Sequence, residues 1–366
     1  MAKKEKKEKK EKKEKRSKEL PPHIETNRTH MTCGAEQNLH TSTHTSAHQY
    51  RALGVDNSWD LEEFKEGLEV HIREMDDESM TFDLVGVDPA VANALRRIMI
   101  AEVPTMAIEH VFFVNNTSIV HDEVLAHRLG LIPIAADPAK FSSKATEDKA
   151  NETNTLVFKL HQRGTRGAGD EGADGSAQHV TSDMLQWLPE GSEMPHDTSC
   201  VFAKSQQDEF EQPPGPVQPN ILVAKLAPGQ EIHCEMHCIK GIGKEHAKWS
   251  PVATAWYRLL PEVAILRPKE LNGTEEGERL VRECPGLFAM ERGVLAARDP
   301  MENENELEKF RRLTGEDWLK GKAVLRKAKD HFVFTVESTG ALKPWDIFRQ
   351  SIEILQGKID ATLQKL

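Results

Sequence analysis

The 366-residue sequence has no apolar run near the roughly 20 residues that a membrane-spanning helix needs, and it is charged from its third residue onward. We therefore expect neither a spanning segment nor secretion. The Asn-x-Ser/Thr sequons beginning at Asn27, Asn115, Asn116, Asn151 and Asn272 are then expected to stay unmodified. Cysteine is sparse: five residues, odd in number and scattered, argue against a disulfide framework and suit a reducing compartment. There is no GxxxxGK[S/T], no GxGxxG after a strand, no GxSxG and no HExxH, so the common phosphate-cradling, nucleophilic and zinc-hydrolase signatures are missing. Net positive charge is confined to the beginning of the chain. Residues 1–19 hold ten Lys, one Arg and five Glu, for a charge of +6, while the whole chain carries −11 and the remainder therefore −17. An acidic body is a poor coat for a nucleic-acid backbone, which Lys and Arg neutralise. Any contact with nucleic acid is expected to be local or to belong to a larger assembly.

What is present begins with a triplet repeat. From Lys3 to Lys15 a KKE-type pattern contains no apolar residue, and a three-residue period keeps no fixed face on an α-helix. This tail reads either as a nuclear-import signal or as a solvated polyampholyte. From Pro21 to about Ser58 the composition turns to Thr, Ser and His, so the whole of 1–58 is expected to lack structure. His40, His44 and His48 recur at every fourth residue and would line one stripe of a helix, but TSTHTSAH forms helix poorly, which weakens a metal-site reading.

Order is expected from Trp59. Leu68, Val70 and Ile72 alternate with polar residues, and Met80, Phe82 and Leu84 follow an acidic turn, which predicts a hairpin. Asp88-Pro89 starts a helix that runs toward Pro104 with Val91, Leu95 and Ile98 on its apolar face. Met106–Val114 reads as a strand, Asp122–Leu129 as a short helix stopped by Gly130, and the region from 137 to 230 as less regular, with long loops at 164–175 and 212–219. Further strands are expected at 155–160, 221–226, 231–239, 252–260 and 331–338. The stretch 271–326 reads as charged and mostly helical or irregular. A final helix from about Pro344 carries an apolar seam of Phe348, Ile352, Leu355, Ile359, Leu363 and Leu366.

Two clusters invite chemistry. In His233-Cys234-Glu235-Met236-His237-Cys238 the ligand types suit zinc, yet strand alternation puts His233, Glu235 and His237 on one side and both cysteines on the other. A second Cys/His pair is lacking, so an ordinary strand is the stronger reading. Arg96-Arg97 reads either as a solvated helix edge or as a pair reaching carboxylates on a neighbouring chain. The terminal seam fits internal packing and partner binding equally.

Four blocks then carry a resemblance. FDLVGVDPAVANALRRIMIAEVPTMAIE (82–109) and NNTSIVHDEVLAHRLGLIPI (115–134) resemble the alpha-like subunits of DNA-dependent RNA polymerase. MHCIKGIGKEHAKWSPVATAWYRLLP (236–261) and HFVFTVESTGALKPWDIF (331–348) resemble the larger alpha-like subunit shared by RNA polymerases I and III. The resemblance implies an α+β fold in which an alpha-subunit-like dimerisation domain, residues 59–105 and 251–366, is interrupted by an insert domain at 106–250, with a charged extra segment near 271–326. It implies that Val91, Asn93, Leu95, Arg96, Arg97 and Ile98, together with Phe348, Ile352, Leu355, Ile359 and Leu363, face a smaller alpha-like subunit. The pair would then dock the second-largest subunits of polymerases I and III in the nucleus, including the nucleolus, and meet DNA only as part of the whole complex. No catalytic residue, cofactor or membrane contact is implied. The polymerase II counterpart carries metal-binding cysteines after the HRLGLIPI-type block. Residues 135–160 here contain none, which favours the I/III subunit and removes the metal. The alternatives are the polymerase II subunit, a stand-alone metal enzyme built on His233 and His237, and a free DNA-binding protein using the tail.

Deleting residues 1–19 is expected to alter nuclear import or non-specific polyanion affinity while leaving binding of the smaller subunit intact. Fluorescence localisation and co-purification check this, and loss of the partner on deletion contradicts it.

Overall fold

A computed structural model of the chain describes residues 21–43, 59–145, 147–165 and 178–366. The chain divides into two compact units, one within 1–73, 81–93 and 257–334, the other within 74–80, 94–256 and 335–366. Among the described residues no helix is long and apolar enough to cross a membrane.

Most of a six-stranded sheet lies in the first unit. Its strand order is Asn38–Leu39, His30–Cys33, Ala323–Ser338, Ser79–Val85, Glu69–Met75, and Val252–Ile265 also pairs with Ala323–Ser338. Phe332, Val333, Phe334 and Val336 are all at most 1% exposed, so the long strand is buried on both faces and its apolar residues run together instead of alternating. Phe334 stacks on Phe82 with ring centroids 5.1 Å apart, and Tyr257 meets Phe332 edge-on at 5.2 Å. Gly86 follows the Ser79–Val85 strand at φ 78°, where its N–H reaches Asp330 O at 2.8 Å. A Cβ there would lie 2.1 Å from the Gly67 carbonyl oxygen, so only glycine fits.

The expected unstructured tail is corrected over residues 22–39. Pro22–Thr29 is a helix, and His30–Cys33 is a strand that pairs antiparallel with the long strand, from His30 opposite Ala328 to Cys33 opposite Leu325. Few aliphatic side chains are needed because the order comes from backbone pairing to a sheet edge. It is reinforced by Lys329 Nζ donating to Asn27 O at 2.9 Å and by Arg311 donating to the carbonyls of Gly34 and Ala35 at 2.8 and 2.9 Å. His40 lies outside any helix at φ 58°, while His44, His48 and the lysine repeat fall outside the described residues.

The charged stretch 271–326 has its own core. Leu280, Phe288, Phe310 and Leu319 are fully buried, with Leu295 4% exposed, between the helices Glu275–Glu283 and Glu304–Leu313 and the hairpin Phe288–Glu291/Val294–Ala297. The hairpin turns on Arg292-Gly293, both at positive φ, the geometry that matches strand twist in a two-residue loop.

The second unit contains a four-stranded antiparallel sheet ordered Pro104–Asn116, Glu231–Ile242, Thr155–Arg163, Gln186–Trp187. One face forms a core of Met106, Ile108, Phe158, Leu160, Cys234 and Met236, onto which the helix Asp122–Gly130 lays Leu125 and Leu129. Gly130 ends that helix without a left-handed turn; a Cβ there would come 3.3 Å from Ile108 O. Trp249 lies over Gly241, where a Cβ would sit 2.4 Å from the indole, and its Nε1 donates to Ile239 O at 3.1 Å. The terminal helix runs Pro344–Leu363.

Replacing Phe334 by Ala is expected to destabilise the chain by about 3–5 kcal/mol, because it empties a stacked site at the centre of the first sheet. Urea unfolding followed by tryptophan fluorescence measures this.

Candidate subunit interface

The helix Pro89–Ala101 begins where Asp88 accepts the Ala90 N–H at 2.8 Å, with Pro89 free of a donor to lose. Ala92, Leu95, Ile98 and Met99 lie at 0–5% exposure, so the chain itself encloses this face. Val91, Asn93 and Arg96 are half-buried, and Arg97 is exposed. Of the expected interface residues on this helix, Leu95 and Ile98 are therefore committed to the internal core. The other four flank it.

The terminal helix changes character along its length. Ile347, Phe348 and Ser351 are buried, which places Phe348 too in the chain's own core. Beyond Ser351 the seam emerges: Leu355 is half-buried, whereas Ile352, Ile359 and Leu363 are 46%, 54% and 63% exposed. Spacings of seven and four residues keep these three on one stripe. Lys358 pairs with Glu102 beside it. An apolar stripe left in water over three helical turns is unfavourable for a lone chain.

A second exposed apolar set lies in the first unit. Leu68, Val70 and Ile72, expected as one side of a hairpin, are 39%, 41% and 47% exposed on and beside the edge strand Glu69–Met75. Their alternation was legible, but their position at a sheet end was not.

The His233–Cys238 segment lies on an inner strand of the second unit's four-stranded sheet. Cys234, Met236 and Cys238 are fully buried on the core side. Burial pushes the Cys234 thiol up to about 12 and raises Cys238 as well, so neither thiol is disposed to ionise as a ligand or nucleophile. On the opposite face His233 stacks on His161, with ring centroids 4.3 Å apart, and burial lowers its pKa, aided by His161 and Lys159. Glu235 and His237, each 2% exposed, meet at 3.1 Å between Oε1 and Nε2, and Glu235 Oε2 accepts the Glu193 N–H at 3.1 Å. Burial raises the Glu235 carboxyl, but the bonds from His237, Ser192 and the Glu193 N–H outweigh it and bring it below its ordinary value. Among the described residues no group of three or more His, Cys, Asp or Glu is arranged to hold a metal ion.

A carboxyl whose pKa falls on folding stabilises the fold above its unfolded pKa and loses that contribution as pH drops through the folded pKa. Glu235→Ala is thus expected to cost about 3–5 kcal/mol at neutral pH, since it strands a buried His237 and the Glu193 N–H. It should also flatten the acid limb of stability below the ordinary glutamate value of 4.5. Urea midpoints measured from pH 7 to pH 3 for both proteins check the amount and the sign.

Residues 81–359 match the RNA polymerase Rpb3/Rpb11 dimerisation domain family. The chain is 41% identical over 359 residues to the bovine (Bos taurus) DNA-directed RNA polymerases I and III subunit RPAC1, covering 94% of this chain and 96% of that protein. It is 38% identical over 341 residues to RPAC1 of Saccharomyces cerevisiae, covering 89% and 96%. Similarity extends to the Dictyostelium discoideum polymerase II subunit rpb3, at 34% over 303 residues with 80% of this chain and 92% of that protein covered. With a matched domain spanning most of its length and relatives aligned nearly end to end, the chain belongs to the RNA polymerase Rpb3/Rpb11 dimerisation domain family.

Proposed function

We propose that this chain is the larger alpha-like subunit of RNA polymerases I and III, a non-catalytic platform in the synthesis of ribosomal, transfer and other small RNAs. It pairs one to one with a smaller alpha-like subunit, and the pair docks the second-largest polymerase subunit. The observation that carries this reading is the exposed stripe Ile352, Ile359 and Leu363 on the last helix of a dimerisation domain. A helix ending in uncovered isoleucine and leucine needs a partner of similar surface. Exposed Arg97 and half-buried Val91, Asn93, Arg96 and Leu355 contribute further surface to the contact, while Leu95, Ile98 and Phe348 are buried in the chain's own core. The acidic body supports contact with DNA only through other subunits. Nuclear and nucleolar residence follows from this role.

The choice of polymerases rests on two supports. Similarity to the I/III subunits is higher and spans more of the chain than similarity to the polymerase II subunit. The stretch 135–160 also contains no cysteine, unlike the polymerase II pattern described above.

Affinity purification of the tagged chain from its own cells tests the reading. The smaller alpha-like subunit at one to one, with the largest subunits of polymerases I and III and not of II, is the expected result; a lone chain or polymerase II subunits overturns it. Ile352→Asp combined with Ile359→Asp is expected to abolish recovery of the smaller subunit while the monomer stays folded, because a desolvated carboxylate in an apolar contact costs on the order of several kcal/mol.

A further inference from the structure

We propose that the N-terminal arm, residues 22–39, is a detachable strap that opens on its own while the rest of the first unit stays folded, with Arg311 and Lys329 as its fastenings. Arm and sheet lie within the same compact unit. Among residues 21–43 only Cys33 is buried, and the helix Pro22–Thr29 buries nothing. What holds the arm is therefore mostly polar. His30–Cys33 forms a four-residue antiparallel ladder with Leu325–Ala328. Lys329, 4% exposed, donates to Asn27 O in the last turn of the helix, and Arg311 donates to the Gly34 and Ala35 carbonyls just past the strand. At the surface His30 Nε2 lies 3.3 Å from Glu262 Oε2.

Past the strand the arm borders a gap. A cavity of about 360 Å³ is lined by residues 33–39 on the arm and by Leu266 and the segment 314–324 beneath it. At one side Ala35 packs so closely on Gly315 that a Cβ there would lie 2.6 Å from the Ala35 Cβ. A void of that size forgoes the dense packing by which core elements resist opening. Local opening costs least where little apolar surface is given up to water. It frees the backbone groups of Leu325–Ala328, a sheet edge on which another extended segment can pair. The arm is the removable cover of that edge. Cys33 and Cys284 separate strap opening from unfolding, because both belong to one apolar cluster and only Cys33 is on the arm. Burial raises both thiols, which keeps each slow to react until it is uncovered.

The test is N-ethylmaleimide labelling of the full folded chain without denaturant, with each cysteine followed by peptide mass spectrometry. Cys33 is expected to be labelled at least about tenfold faster than Cys284, which is buried in the same cluster. Arg311→Ala and Lys329→Met remove the charge-assisted bonds to the arm. Each is expected to speed Cys33 about tenfold further and to leave Cys284 within about twofold. Arg312→Ala, which loses an exposed pair with the same Glu308 that Arg311 meets, is expected to stay within about twofold of the parent at both thiols. Urea midpoints verify that each variant is folded, and if one is not, the Cys33 and Cys284 rates of the parent decide alone. Equal rates at the two thiols in the parent overturn the proposal by making the arm an integral part of the core. Folded variants that leave Cys33 unchanged, or that speed both thiols together, also overturn it.

Discussion

A strand buried on both faces must find a partner for every backbone group along it and a neighbour for every side chain. The sixteen residues Ala323–Ser338 meet this demand through three other strands, His30–Cys33, Ser79–Val85 and Val252–Ile265. Much else in the first unit follows from it. The consecutive Phe332, Val333 and Phe334 are tolerated because both sides are covered, and Gly86 is needed because the backbone passes close to Gly67 while bonding to Asp330. The N-terminal strand has a place because the long strand offers it an edge.

The four-stranded sheet of the second unit solves the same problem with a different chemistry on its second face. Its central strand buries thiols and Met236 on one side, and on the other it keeps the Glu235 carboxylate satisfied by His237 and the Glu193 N–H. There Glu235 and His237 are matched to each other. The apolar groups of the terminal helix beyond Ser351 and of the edge strand are not matched within the chain.

Local signals in the sequence were strong wherever a residue acts on its own neighbours. Asp88-Pro89 announced its helix, the period of the last helix was plain, and alternation located the strands of the hairpin. What escaped was set by distant contacts. Nothing in His30–Cys33 reads as a strand until Leu325–Ala328 is beside it, and the core of 271–326 was masked by the density of charge around Leu280, Phe288 and Phe310. The seam looked uniform because spacing records which residues share a stripe and not where along the helix the protein ends. The buried Phe348 and the exposed Leu363 have the same periodicity.

The antiparallel pairing of His30 with Ala328 also bears on how the protein is made. The two partners are nearly the full length of the chain apart, so the first strand leaves the ribosome long before its counterpart exists. At about 5–20 residues per second the wait is roughly 15–60 s, during which the early strands Glu69–Met75 and Ser79–Val85 lack the neighbour that completes their sheet. The first unit cannot close co-translationally from its N-terminus. Its apolar strands depend on protection until the last eighth of the polypeptide emerges, and a stalled or truncated product would leave Phe82 and Leu84 uncovered and prone to aggregate instead of a finished sheet.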